Sequence, residues 1–214
     1  ADDYGRGVCV DSSGFVYVTG YVGASLLGQT YAGSNDIFLI KYDGNGTRIW
    51  VRQFGTSGDD AGYAITVDSA SSSVYITGYV SGSLHSQTYV GSTDIVLVKY
   101  STNGTRVWTK MYGTSTDDIA YGVALDSSGD IYLAGYVSAT FNGQSYAGGT
   151  SDILLMRITS AGTTVYTKLI GSTNSQSAYA IAVDSTNAVV YLTGYTTYSL
   201  FGETKGAIWD MFLI

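Results

Sequence analysis

Asp94-Ile-Val-Leu-Val-Lys-Tyr100 decides how this chain folds. In an extended backbone Ile95 and Leu97 point to one side and Val96 and Val98 to the other, so the strand is apolar on both faces. Such a strand needs cover on both sides. The run Asp36-Ile-Phe-Leu-Ile-Lys-Tyr42 repeats it, with Ile37 and Leu39 opposed to Phe38 and Ile40. Its leading aspartate returns as Asp36, Asp94, Asp152 and Asp210, at a constant interval of 58 residues. A second set, Asp11, Asp68, Asp126 and Asp184, recurs at 57, 58 and 58, each followed by a small-residue turn. Repetition at this period marks a stacked architecture, and a residue that recurs with it serves structure first.

Reading outward through the second copy, Tyr63-Ala-Ile-Thr-Val67 predicts a strand, Asp68 to Ser73 a turn, and Val74-Tyr-Ile-Thr-Gly-Tyr79 a second strand. After a polar loop come Ile95–Tyr100 and, beyond Asn103-Gly104, a fourth strand over Arg106–Tyr112. These runs are too short for helices and are separated by Gly, Ser, Asn and Asp. Trp50, Trp108 and Tyr166 share one register point on the fourth strand, with Arg52, Lys110 and Lys168 two residues on, as suits an outer, partly wet strand. The expected fold is all-β: a β-propeller-like array of four repeats of about 58 residues, each a four-stranded antiparallel blade. The last blade lacks its outer strand. The repeats are 1–58, 59–116, 117–174 and 175–214, expected to form one cooperative domain over 1–214.

The run from Val10 to Tyr21, with Asp36–Tyr42 and Gly44-Asn-Gly-Thr-Arg-Ile-Trp50, resembles the bacterial-type β-propeller repeat family known as SBBP. The likeness weakens in the fourth copy, where Thr204-Lys-Gly-Ala replaces the Tyr-x-Gly of Tyr31, Tyr89 and Tyr146. The resemblance implies a propeller in secreted or surface-exposed proteins and brings no catalytic residues.

Composition agrees with strands and tight turns: 28 Gly, 20 Tyr and no Pro in 214 residues. Charged residues are only 13%, the net charge is -7, and ten scattered Lys and Arg argue against nucleic acid as a partner. No stretch nears the roughly 20 apolar residues of a membrane span, so membrane insertion is not expected. Lone Cys9 has no partner for an intrachain disulfide. The opening Ala1-Asp2-Asp3 matches the repeat boundary at Asp59-Asp60 and Asp117-Asp118, which suggests a piece of a longer protein.

Candidate sites stand against structural readings. Asn45-Gly-Thr47 and Asn103-Gly-Thr105 are N-glycosylation sequons, and equally Asn-Gly pairs that suit a tight hairpin. The third copy, Ser160-Ala-Gly-Thr163, keeps the turn without the sequon. Calcium is the metal to consider at the paired aspartates or at Asp126-Ser-Ser-Gly-Asp130, although Asx turns use the same residues; no cofactor is expected. Gln29, Tyr31, Gln87, Tyr89, Gln144 and Tyr146 form repeated Gln-x-Tyr loops that could stack on glycans. Against that reading, Tyr17, Tyr75, Tyr132 and Tyr191 recur inside strands as packing. Asp36, Asp94, Asp152 and Asp210 are expected to accept backbone hydrogen bonds where a loop enters the third strand. His85 is the single histidine and Glu203 a solitary acid, with no nucleophile elbow beside them, so an enzyme is not expected.

The final strand, Asp210-Met-Phe-Leu-Ile214, would present a bare edge for pairing with another chain or a neighbouring repeat. The leading expectation is a non-catalytic extracellular or cell-surface protein, structural or adhesive, that assembles through blade edges or faces, into a filament or surface layer. The alternative is a lectin-like propeller, and a third reading is a calcium-stabilised scaffold of a larger enzyme.

Overall fold

The computed structural model describes residues 2–200 and 210–214, and places fifteen strands among them. Thr204–Ala207 and Glu203 lie outside the described residues. The strands form four antiparallel sheets, each taken in sequence order. The first holds β1 (Tyr4–Val10), β2 (Val16–Val22), β3 (Asp36–Tyr42) and β4 (Arg48–Phe54); the second holds β5 (Ala61–Asp68), β6 (Ser73–Val80), β7 (Asp94–Ser101) and β8 (Arg106–Tyr112). The third holds β9 (Ile119–Leu125), β10 (Ile131–Val137), β11 (Asp152–Ile158) and β12 (Thr164–Ile170). The last has three, β13 (Gln176–Asp184), β14 (Val189–Thr196) and β15 (Asp210–Leu213).

The chain falls into two compact units, Ala1–Tyr89 with Thr93–Tyr112, and Val90–Ser92 with Gly113–Ile214. In the first unit, Ile37 and Leu39 of the first sheet and Ile65, Val74 and Ile76 of the second pack into one core. The opposite face of β3 carries a second cluster, Phe38 and Ile40 with Val22 and Val51. β3 is therefore covered on both faces, as its double alternation requires, and each fully buried aliphatic side chain contributes about 1.5–3 kcal/mol. In the second unit Ile153 and Leu155 of β11 pack with Ala178 and Leu192 from the last sheet.

Short hydrogen bonds stitch neighbouring sheets within each unit. The Ser12 amide donates to the Ser69 hydroxyl at 2.9 Å, and the Ser127 amide to Ser185 at 2.8 Å. The loop before the third strand bridges to the start of the next sheet, Asn35 to Asp59 and Ser151 to Ser175.

The Asn-Gly pairs lie in tight hairpins, but not in two-residue turns. Gly46 donates to the Asp43 carbonyl, and only Gly46 has positive φ, at 84°. A two-residue type I′ turn needs positive φ at both central residues, so Asp43–Gly46 is a type I turn closed by a left-handed glycine. The I′ turns lie instead in the loops between second and third strands: Leu27-Gly28, His85-Ser86 and Asn142-Gly143 are consecutive positive-φ pairs, closed by Gln29, Gln87 and Gln144.

Candidate functional site

The aspartate at the head of each four-stranded sheet's third strand is buried, at Asp36, Asp94 and Asp152. Asp36 Oδ2 accepts the Ala32 amide at 2.9 Å and the Gln53 side-chain amide at 2.9 Å; Asp152 Oδ2 accepts the Ala147 amide at 2.7 Å. These carboxylates hold the loop that enters the strand. Asp210 heads β15 and is only partly buried.

The paired aspartates diverge. Asp59 is exposed and accepts from Asn35 Nδ2 and the Tyr79 phenol, both at 2.5 Å, while Asp60 is buried and accepts the Thr56 amide and hydroxyl and the Ser81 amide. In the turn considered for calcium, Arg157 takes both acids, Nε meeting Asp130 Oδ2 at 2.8 Å and Nη2 meeting Asp126 Oδ2 at 3.5 Å. Among the described residues no group of three or more His, Cys, Asp or Glu is placed to hold a metal ion. The turn aspartates act as Asx acceptors: Asp11 Oδ1 takes the amides of Ser13 and Phe15, and its Oδ2 takes the Tyr17 phenol at 3.0 Å.

The Gln-x-Tyr loops are bound into their own backbone. The Tyr31 phenol donates to the Ser34 carbonyl at 2.6 Å. The Tyr146 phenol is enclosed without a hydrogen-bond partner, and burial pushes its pKa up. Gln29, Gln87 and Gln144 serve as closing residues of the I′ turns. His85 Nδ1 lies 2.9 Å from Thr109 Oγ1; burial, with the charge of Arg106 adding, drives its pKa down to about 4. Burial likewise pushes the Cys9 thiol up to about 12, keeping it protonated at neutral pH.

A different aromatic feature emerges at the first strands, each of which carries an extra residue at one level: Arg6, Tyr63, Tyr121 and Tyr179. A β-bulge re-aims the side chain it carries. Here it sets that side chain beside Tyr21, Tyr79, Tyr136 or Tyr195 of the second strand. In the first unit the Arg6 guanidinium lies 5.3 to 5.6 Å from the rings of Tyr4, Tyr21 and Tyr63. In the second, Tyr121 and Tyr179 meet edge-on at 5.1 Å, and Tyr179 is 51% exposed. Sequence reading passed over this row because strand alternation does not anticipate a bulge. The recurrence of tyrosine at 63, 121 and 179 is the signal that could have shown it.

At the sequons, Asn45 and Asn103 are both exposed, yet their hairpins differ. The Asn103 turn is held by the first sheet, with Arg52 Nε donating to the Gly104 carbonyl at 2.7 Å and Lys41 Nζ to Thr102 at 3.1 Å. In the third copy, Gly162 donates to Thr159 and repeats the turn without an asparagine.

On β15, Met211 and Leu213 are 91% and 75% exposed, whereas the third strands of the other sheets are buried and followed by a fourth. Phe212 and Ile214 pack into the core of the second unit.

Four antiparallel meanders of one pattern, three of them with a buried third strand, define a repeat protein built of propeller blades. Residues 1–21, 49–84 and 107–136 match the family model SBBP, described as a β-propeller repeat. It is also similar to regulatory protein FlaEY of Caulobacter vibrioides, 24% identical over 177 residues. That match covers 76% of this chain and 18% of the relative's length.

Proposed function

We propose that this chain is a non-catalytic structural or adhesive repeat scaffold that works at the cell surface or outside it, assembling through the edge and the open face of its three-stranded sheet. The exposure of Met211 and Leu213 on β15 carries this reading. Strands β4, β8 and β12 supply the pattern of the expected occupant, a strand with an aromatic residue and a cation two positions on. Whether a neighbouring repeat of a longer chain or a second copy supplies it, an added strand would satisfy the edge backbone of β15, while Met211 and Leu213, at the repeat positions of Ile37 and Leu39, offer the face on which a further sheet would pack. The few charges and many hydroxyls of the sequence suit an extracellular surface, and the likeness to a protein named as regulatory fits a role without catalysis.

Light scattering across a concentration series tests it. The chain is expected to associate, and Met211→Lys with Leu213→Lys to shift it toward monomer without lowering its melting temperature. Unchanged association in that double variant would sink the reading.

The lectin alternative gains one observation, the tyrosine row of the second unit. Its rings, with Tyr179 half exposed, suit stacking on sugar faces better than Tyr31 or Tyr146 do. Glycan-array binding lost on Tyr179→Ala would favour this function over edge assembly.

A further inference from the structure

We propose that Asp36 and Asp60 share one proton, forming a buried acid and carboxylate pair between the first and second sheets of the first unit. Both side chains are fully buried. Asp36 Oδ2 has two donors, Ala32 N and Gln53 Nε2, but Oδ1 has none. Asp60 Oδ1 accepts from the Thr56 hydroxyl at 3.0 Å and the Ser81 amide at 2.9 Å, and Oδ2 from the Thr56 amide. The two carboxyl groups converge on one glycine. A methyl group on Gly55 would stand 2.5 Å from Asp36 Oδ1 and 2.7 Å from Asp60 Oδ2.

Several charged groups on the surrounding elements are engaged elsewhere. On β1, Arg6 lies against tyrosine rings; on β3, Lys41 donates to Thr102; on β4, Arg52 donates to Gly104 and Val51; on β8, Arg106 reaches Thr109. His85 faces Thr109, while Asp59 meets Asn35 and Tyr79. On β5, Tyr63 lies by Arg6 and Tyr79. Two buried carboxylates beside one glycine disfavour a second negative charge there, and a shared proton would supply both the neutralisation and a donor for Asp36 Oδ1. Burial pushes the pKa of Asp60 up against the pull of its Thr56 and Ser81 donors, and the Asp36 charge adds to the rise.

The second unit contains an internal control. Asp152 Oδ1 is again buried without a partner, beside Gly171. Gln176 takes the place of Asp60, its Oε1 accepting the Ser172 amide at 2.9 Å as Asp60 Oδ2 accepts that of Thr56. The position requires an acceptor there; a second negative charge is dispensable.

The sign of the linkage follows. A carboxyl whose folded pKa is raised stabilises the fold below its unfolded value, 3.8, and loses that contribution as pH rises through the folded value. Thermal melting from about pH 4 to about pH 8 is compared for the wild type, Asp60→Asn and Gln176→Asp. The wild-type Tm is expected to fall relative to Asp60→Asn by at least about 2 °C over this range, and Gln176→Asp to steepen the fall. Parallel melting curves for wild type and Asp60→Asn would overturn the proposal. If that variant does not fold, carboxyl-carbon NMR of the wild type decides: a pair of coupled titrations, one above the ordinary aspartate range, supports it, and two ordinary titrations refute it. A rise in wild-type Tm with calcium at neutral pH, absent in Asp36→Asn, would refute it too, since a metal ion would then hold the pair.

Discussion

The carbonyl oxygen of Ala61 stands where a methyl group on Gly78 would have to be. At this level β5 carries its extra residue, Tyr63, and the bulge draws the two backbones together. The approach recurs between Tyr4 and Gly20, Ile119 and Gly135, and Ser177 and Gly194. The glycine before each second-strand tyrosine is thus dictated by a neighbouring backbone, and the same bulge that demands it builds the tyrosine row.

Gly78→Ala should therefore force β5 and β6 apart. Relief by a side-chain shift is blocked because the obstacle is main chain, so the cost is at least about 1–3 kcal/mol. A fall in Tm of at least about 3 °C is expected on calorimetry. Gly5→Ala is the control: nothing lies within 4 Å of its methyl position, and its Tm should stay near that of the wild type.

The I′ turns offer the opposite change. Ser86 holds φ at 65° in an exposed turn where the equivalent residues are Gly28 and Gly143. An L-residue in the left-handed region costs about 1–2 kcal/mol, part of which glycine returns to its larger unfolded freedom. Ser86→Gly is expected to raise the midpoint of urea unfolding, by about 0.5–1 kcal/mol, with the slope unchanged.

The four-copy period, the strand positions and the two-sided third strand were legible because each depends on local alternation and on spacing. Turn types were not. Asn45-Gly46 carries the I′ signature yet closes a type I turn, whereas Leu27-Gly28 and His85-Ser86, inside the loops between second and third strands, form I′ turns without that signature. Only Asn142-Gly143 has both signature and turn. Recurrence also overstates equivalence. Tyr17 and Tyr75 are buried, with Trp50 and Trp108 of the fourth strands 6.1 Å away, but Tyr191 is 43% exposed in a sheet that has no fourth strand among the described residues. The proposed carboxyl pair was hidden for another reason: Asp36 and Asp60 belong to different repeats, and only the seam between sheets brings them together.

His85 should make the first unit sensitive to acid. Its folded pKa, about 4, lies below the ordinary 6.5, so the neutral ring is favoured on folding and that contribution is lost as pH falls from about 6.5 toward 4. His85→Asn removes the titration. It also suits the left-handed backbone, and it can reach Thr109 as Asn142 Nδ2 reaches Thr167 Oγ1 at 3.1 Å. The expected result is a Tm equal to or above that of the wild type at pH 7, and a smaller loss on acidification than the wild type shows. An identical acid response in both proteins would remove His85 from the account.

The two sequon asparagines should respond differently to truncation, although they share a repeat position. In the first hairpin Asp43 Oδ1 braces the turn, accepting the amides of Asn45 at 3.0 Å and Thr47 at 2.8 Å. In the second, Ser101 stands in place of Asp43, and the brace moves to Asn103, whose Oδ1 accepts the Ser101 hydroxyl and, at 3.1 Å, the Thr105 amide. Asn103→Ala removes that acceptor and leaves the Ser101 hydroxyl and the Thr105 amide only their longer bonds to each other's residue, at 3.1 and 3.3 Å, in a turn gripped by Arg52, and should cost about 1 kcal/mol. Asn45→Ala leaves the Asp43 brace in place and should change stability by less than about 0.5 kcal/mol. Urea unfolding of the two single variants checks the order, and equal costs would show that the asparagines are not distinguished by their turns.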